Sequence, residues 1–102
     1  MDSMAWLQQW YFEQCNGDWE HQYGVSIDTL DNPRWTLKIN LINTTLDKKP
    51  FEALKIERSK TDWVFCSVKP WTKSWDEHVF EAAGGPFNLE EMIQIFRKWA
   101  ES

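Results

Sequence analysis

The sequence is poor in the residues that build covalent or metal-held frameworks. Only two of its 102 residues are cysteine and two are histidine. Isolated Cys15 and Cys66 make neither a disulfide framework nor a closed zinc site, and no Cys-x-x-Cys or His-x-x-x-His spacing occurs. Reduced thiols are expected, with no metal and no other cofactor. An excess of cations is also missing. Sixteen Asp and Glu against eleven Lys and Arg leave a net charge of −5. That argues against nucleic acid and anionic membrane as partners, because both select a basic face. It suits a cytoplasmic protein or one that meets a basic partner. No apolar run approaches the roughly 20 residues that span a bilayer. The opening Met1-Asp2-Ser3-Met4-Ala5-Trp6 lacks the basic region and apolar stretch of a signal peptide. Gly84-Gly85 is followed by Pro86, not by the Lys-Ser/Thr of a phosphate cradle. There is no Gly-x-Ser-x-Gly elbow, no repeat, no low-complexity segment and no linker. The length suits one domain spanning 1–102.

Aromatic residues are abundant instead: eight Trp, six Phe and two Tyr. A fully buried large apolar side chain contributes roughly 1.5–3 kcal/mol, so a few rings can close a core of this size and others can be spared for a surface. They concentrate in Trp6 to Tyr23, where they are interleaved with polar groups. Such a mixture persists only if the rings pack and the polar groups find partners.

The order of elements reads as helix, strands, helix. Ser3 is placed to cap a helix running to about Gln14 or Cys15. Trp6, Leu7, Trp10 and Tyr11 share one of its faces, extended by Met4 and Cys15. Asn16-Gly17 supplies the left-handed residue that ends it. Tyr23 to Leu30 alternates as a half-buried strand, Asp31-Asn32-Pro33-Arg34 turns, and Trp35 to Leu41 alternates again, giving an antiparallel hairpin. Strands follow from Leu54 to Glu57, from Trp63 to Lys69 and from His78 to Ala83. Asn88-Leu89-Glu90-Glu91 resembles a capping box. It opens a helix with an inner face of Leu89, Met92, Ile93, Phe96 and Ala100, widened by Ile95 and Trp99. The fold class is α+β: an antiparallel meander of about five strands flanked by an N-terminal and a C-terminal helix.

Candidate chemistry is sparse. Cys15, Glu20 and His21 could be read as a nucleophile and acid–base set, the basis of an alternative as a small enzyme or ligand-binding domain. Six residues of turn do not by themselves bring the ring within reach of the thiol with a group to orient it, and a polar turn fixing the helix to the first strand accounts for the same residues. Trp71 and Trp75, followed by Asp76 and Glu77, offer aromatic anchors beside acids for a basic protein partner. The alternative is a lid over the sheet. Asp18, Glu20, Asp28 and Asp31 gather around the ends of the first strand, and Asp28 with Asp31 form a second acidic site for a partner.

The blocks Trp6-Leu7-Gln8-x-Trp10-Tyr11, Cys15-x-Gly17-Asp18-Trp19-Glu20-His21-x-Tyr23-Gly24 and Thr29-Leu30-Asp31-Asn32-Pro33-x-Trp35 resemble the immunity protein 53 family. Ile56-Glu57-Arg58-Ser59, Asp62-Trp63 and Gly85-Pro86-x-Asn88-Leu89-Glu90-Glu91 extend the likeness along nearly the whole chain. Arg34 stands where that pattern has Gly, Asn16 where it has Asp, and the 70–77 loop is longer. The resemblance implies a bacterial antitoxin of a polymorphic-toxin locus, not an enzyme, that neutralises a cognate toxin domain by binding it. Many such toxins are nucleases with basic clefts, and the acidic chain suits one. Trp6, Trp10, Tyr11, Cys15, Gly17, Asp18, Trp19, Glu20, His21, Tyr23 and Trp35 are then read as a structural motif.

Overall fold

The computed structural model describes residues 2–69 and 78–102. Helix α1 covers Ser3–Gln14. Its cap is Asp2 rather than Ser3: Asp2 Oδ1 accepts from the Ala5 amide at 2.7 Å. A carboxylate there both accepts a hydrogen bond and faces the positive end of the helix dipole. Ser3 falls one residue inside, buried in the first turn. The Cys15 amide bonds Phe12 O at 3.1 Å, and Gly17 then takes φ +91. That is the left-handed conformation expected where the chain leaves the helix, and it is one a residue without Cβ adopts at little cost. The polar turn expected at Asp18 to His21 is instead one helical turn, α2 (Trp19–Gln22).

Five strands follow: β1 (Val25–Leu30), β2 (Arg34–Asn40), β3 (Leu54–Ser59), β4 (Asp62–Lys69) and β5 (Val79–Gly84). Helix α3 covers Leu89–Glu101. The sheet is antiparallel throughout, as expected, with strand order β1-β2-β5-β4-β3. The order adds one feature to a plain meander. After β2 the chain crosses to the far edge, and β5 closes the sheet between β2 and β4. The expected hairpin forms, pairing Val25 with Ile39 and Leu30 with Arg34. A bulge interrupts the β3–β4 register between Glu57 and Ser59.

Alternation decides the faces. Leu37 and Ile39 of β2, Val64 and Cys66 of β4, and Phe80 and Ala82 of β5 turn to one side and are buried. Met92, Ile93 and Phe96 of α3 cover them. Helix α1 packs beside α3, so Leu7 and Trp10 enter the same core. Among the described residues, no helix lies on the opposite face of the sheet. Across its middle the register places Asp28, Thr36, Ala83, Phe65 and Lys55 side by side.

The start of α3 differs from a capping box. The Asn88 side chain makes no cap bond to the helix backbone. It crosses to the sheet instead: Oδ1 accepts from the Trp63 amide at 3.3 Å, while Nδ2 donates to Asp62 Oδ1 and Glu91 Oε1, both at 3.0 Å. Arg58 joins the same carboxylates, reaching Asp62 Oδ1 at 2.9 Å and Glu91 Oε1 at 2.6 Å. The Arg58 guanidinium, then the Asn88 amide, hold the Asp62 carboxyl below its ordinary range. A Cβ on Gly85 would lie 2.7 Å from Thr61 O, so this junction closes only because residue 85 has no side chain.

Candidate functional site

The aromatic motif of the first 23 residues folds into a lattice. Trp10 meets Trp19 edge to face at 6.4 Å and Phe96 of α3 at 5.2 Å. Trp6 reaches Phe96 at 5.8 Å, and Trp19 contacts Tyr23 at 6.1 Å and Tyr11 at 6.0 Å. The buried Trp19 indole donates to Ile42 O at 2.9 Å, tying α2 to the chain beyond β2. Trp35 donates its indole to Pro86 O at 3.1 Å, 51 residues away. The Trp19 and Trp35 indoles thus each find an acceptor for their one polar atom.

The polar residues of the motif are occupied locally. Asn16 Oδ1 accepts from the amides of Asp18 and Trp19 at 3.0 and 2.9 Å. The Glu20 carboxylate accepts from the amides of Asn16 and Gly17 at 2.9 and 2.8 Å. Its own amide, then those two, hold its carboxyl below the ordinary value. Cys15 Sγ donates to Tyr11 O at 3.4 Å. The His21 side chain is exposed and bonds neither Cys15 nor Glu20. The sequence brings these three close, but the fold does not assemble them into a nucleophile–base–orienter chain. Burial pushes the Cys66 thiol up to about 12, well away from thiolate chemistry at neutral pH. Both cysteines are free, and no three metal-ligating side chains converge among the described residues.

The model of the family Immunity protein 53 matches residues 4–101. The chain belongs to the immunity protein 53 family. No match to a curated protein or to a solved structure is found. The two groups of residues that carry the family likeness are therefore two joints of the immunity protein fold. One locks α1 and α2 to α3 and to the chain beyond β2 through the aromatic lattice. The other locks α3 to the β3–β4 hairpin through Arg58, Asp62, Asn88 and Glu91.

Two surfaces are left open around these joints. The first is the bare sheet face, with a shallow groove of about 430 Å³ running past Thr36, Lys38, Phe65, Ser67 and Glu81. Phe65 is 40% exposed there and meets the Trp63 ring at 5.1 Å, the two planes tilted by 53°. Asp28 stands at the β1 side of this face, and Asp31 lies in the exposed hairpin turn. Arg34 Nε is buried without a hydrogen bond. The second surface lies between α1 and the outer edge of β1. Apolar side chains run most of the way round α1, so its stripe continues past the core. Met4 and Tyr11, expected on the inner face, are 39% and 37% exposed and line a groove of about 410 Å³ with Leu7, Tyr23, Val25 and Ile27. Sequence reasoning missed this groove because periodicity marks an apolar face without showing where the neighbouring strand stops. Trp71, Trp75, Asp76 and Glu77 lie outside the described residues.

Proposed function

We propose that this chain is an antitoxin that neutralises a cognate bacterial toxin domain by direct, non-catalytic binding. The observation that carries the reading is the family match over residues 4–101. The local chemistry supports it. Glu20 is occupied in holding the α1–α2 turn, and the exposed His21 makes no bond to Cys15, so the motif acts as framework. The protein then works as one domain in the cytoplasm of the toxin-producing cell and its kin, in a polymorphic-toxin system used for bacterial competition. Its partner is a protein, and a basic nuclease domain suits the chain's charge. No described helix is long and apolar enough to cross a membrane.

The experiment co-expresses the chain with the C-terminal domain encoded by the neighbouring secreted-protein gene. Growth rescue and a purified complex are the readouts. Protection inside a cell calls for a Kd near ~1 nM, about −12 kcal/mol. Cys15→Ser and His21→Gln should protect as well as the wild type once their melting temperatures are matched. Loss of protection by a folded Cys15→Ser protein would instead establish the enzyme alternative.

A further inference from the structure

The groove beside α1 has an unusual second wall. Strand β1 pairs only with β2 among the described residues, so its other edge is free. The Asn40 amide donates to Gly24 O at 3.0 Å. In an antiparallel ladder, residues that bond the partner strand alternate with residues that do not. Ser26, Asp28 and Leu30 therefore bond β2, while the amides and carbonyls of Val25, Ile27 and Thr29 point outward. Val25 and Ile27 are also groove-lining residues. The outward amides and carbonyls of Val25 and Ile27 thus lie along an apolar slot roofed by Met4, Leu7 and Tyr11, and those of Thr29 continue the same edge just beyond it. An exposed edge of this kind is a template for an incoming strand.

Charge identifies the occupant. The first 33 residues hold six of the sixteen carboxylates and none of the eleven Lys and Arg side chains. The remainder carries ten carboxylates against eleven cations. The whole negative charge of the chain therefore belongs to the segment that builds α1, α2 and β1, of which α1 and β1 bound the slot. No described Lys or Arg lines the slot. Lys38 and Arg34 pair with Ser26 and Leu30 on the bare sheet face, the face that Asp28 shares, and Arg97 sits over the Trp6 ring at 5.6 Å on the α3 side of α1.

We infer that the free edge of β1 and the α1 groove form the toxin-docking surface, and that they accept an extended, cationic segment of the toxin as a sixth strand. Backbone pairing to Val25, Ile27 and Thr29 supplies affinity, and alternate apolar side chains of the segment enter the slot under Met4 and Tyr11. Its Lys and Arg side chains meet Asp28 and Asp31. The inference rests on the antitoxin reading above.

The test uses the full chain and a catalytically dead form of the C-terminal domain encoded by the neighbouring secreted-protein gene. Thr29→Pro removes one outward amide while leaving the β1–β2 ladder intact, because proline is tolerated on an edge with its nitrogen facing solvent. It should weaken binding at least about tenfold, the size of one good interface contact. Thr29→Ala, which keeps the amide, should bind like the wild type. Met4→Lys, which places a cation at the mouth, should weaken binding to a similar degree. Amide exchange at Val25, Ile27 and Thr29 should slow on complex formation. Wild-type affinity in both folded Thr29→Pro and Met4→Lys would overturn the site while the antitoxin reading stood. So would slow exchange at these amides in the free monomer, since the edge would already be paired. A free chain that sediments as a dimer, and as a monomer once it carries Thr29→Pro, would assign the edge to a second copy instead. A wild type that fails to bind the toxin domain would overturn both readings.

Discussion

Glu20 shows how a single side chain in this protein can look catalytic and be structural. It lies between Asp18 and His21 and five residues from Cys15, a spacing that invites acid–base chemistry. Its two oxygens instead close the turn after α1, each on a separate amide. Charge-assisted bonds to backbone N–H groups favour the ionised carboxylate, which is why its carboxyl is held below the ordinary value. The consequence for stability has a definite sign. A group whose folded pKa lies below its unfolded one stabilises the fold above the unfolded value, about 4.3 for Glu. That contribution disappears as pH falls through the folded pKa. Glu20→Gln should therefore melt below the wild type at pH 7, and the two melting curves should converge as pH drops below about 4. Thermal melts of both proteins from pH 7 to 3 would check this. A constant gap at every pH would mean that the carboxylate's charge plays no part in holding the turn.

At the scale of elements, α1 is held by its rings more than by a clean amphipathic stripe. Trp10 is buried between Trp19 and Phe96 and is the contact through which α1, α2 and α3 meet. Removing a buried Trp side chain costs roughly 3–5 kcal/mol, a large share of the 5–15 kcal/mol that holds a small domain together. Trp10→Ala should lower the denaturation midpoint accordingly, with weakened toxin binding explained by the unfolded fraction alone. A variant with wild-type stability but no binding would move Trp10 from the framework to the interface. The same scale shows what the sequence made legible. Alternation in Tyr23–Leu30 and Trp35–Leu41, with Asp31-Asn32-Pro33-Arg34 between them, marked the β1–β2 hairpin. The periodic Met92, Ile93 and Phe96 marked the inner face of α3. Alternation tells which side of a strand meets the core, but not which strand lies next to it, so the place of β5 between β2 and β4 could not be read. Asn88 looked like a cap because local spacing is all a capping box needs, whereas its side chain joins the local Glu91 to Asp62 and Trp63, 26 and 25 residues away. The candidate site was legible only in part. Asp28 and Asp31 were named for their charge, while the free edge beside them emerges only from the strand order.

The whole molecule is electrically lopsided in a way its net charge hides. A net −5 spread evenly would give weak, undirected attraction to any cation. Here residues 1–33 carry six carboxylates and no Lys or Arg, and they fold into one flank of the structure. Counter-ions screen such a field with a Debye length of about 8 Å at physiological ionic strength. Its effect on a basic partner should therefore appear mainly in the association rate and in how steeply that rate falls with salt. Asp28→Asn with Asp31→Asn should slow association with the toxin domain and flatten its salt dependence, while dissociation changes little. Glu52→Gln, an exposed carboxylate in the evenly charged remainder, should leave the slope as it was. Stopped-flow association from about 50 to 500 mM salt would separate the two, since this range takes the screening length from above 10 Å to below 8 Å. Equal slopes for the double variant and for Glu52→Gln would show that the toxin responds to total charge. The acidic flank would then lose its claim to guide the encounter, and the β1 edge would have to recognise its strand through backbone pairing and the apolar slot alone.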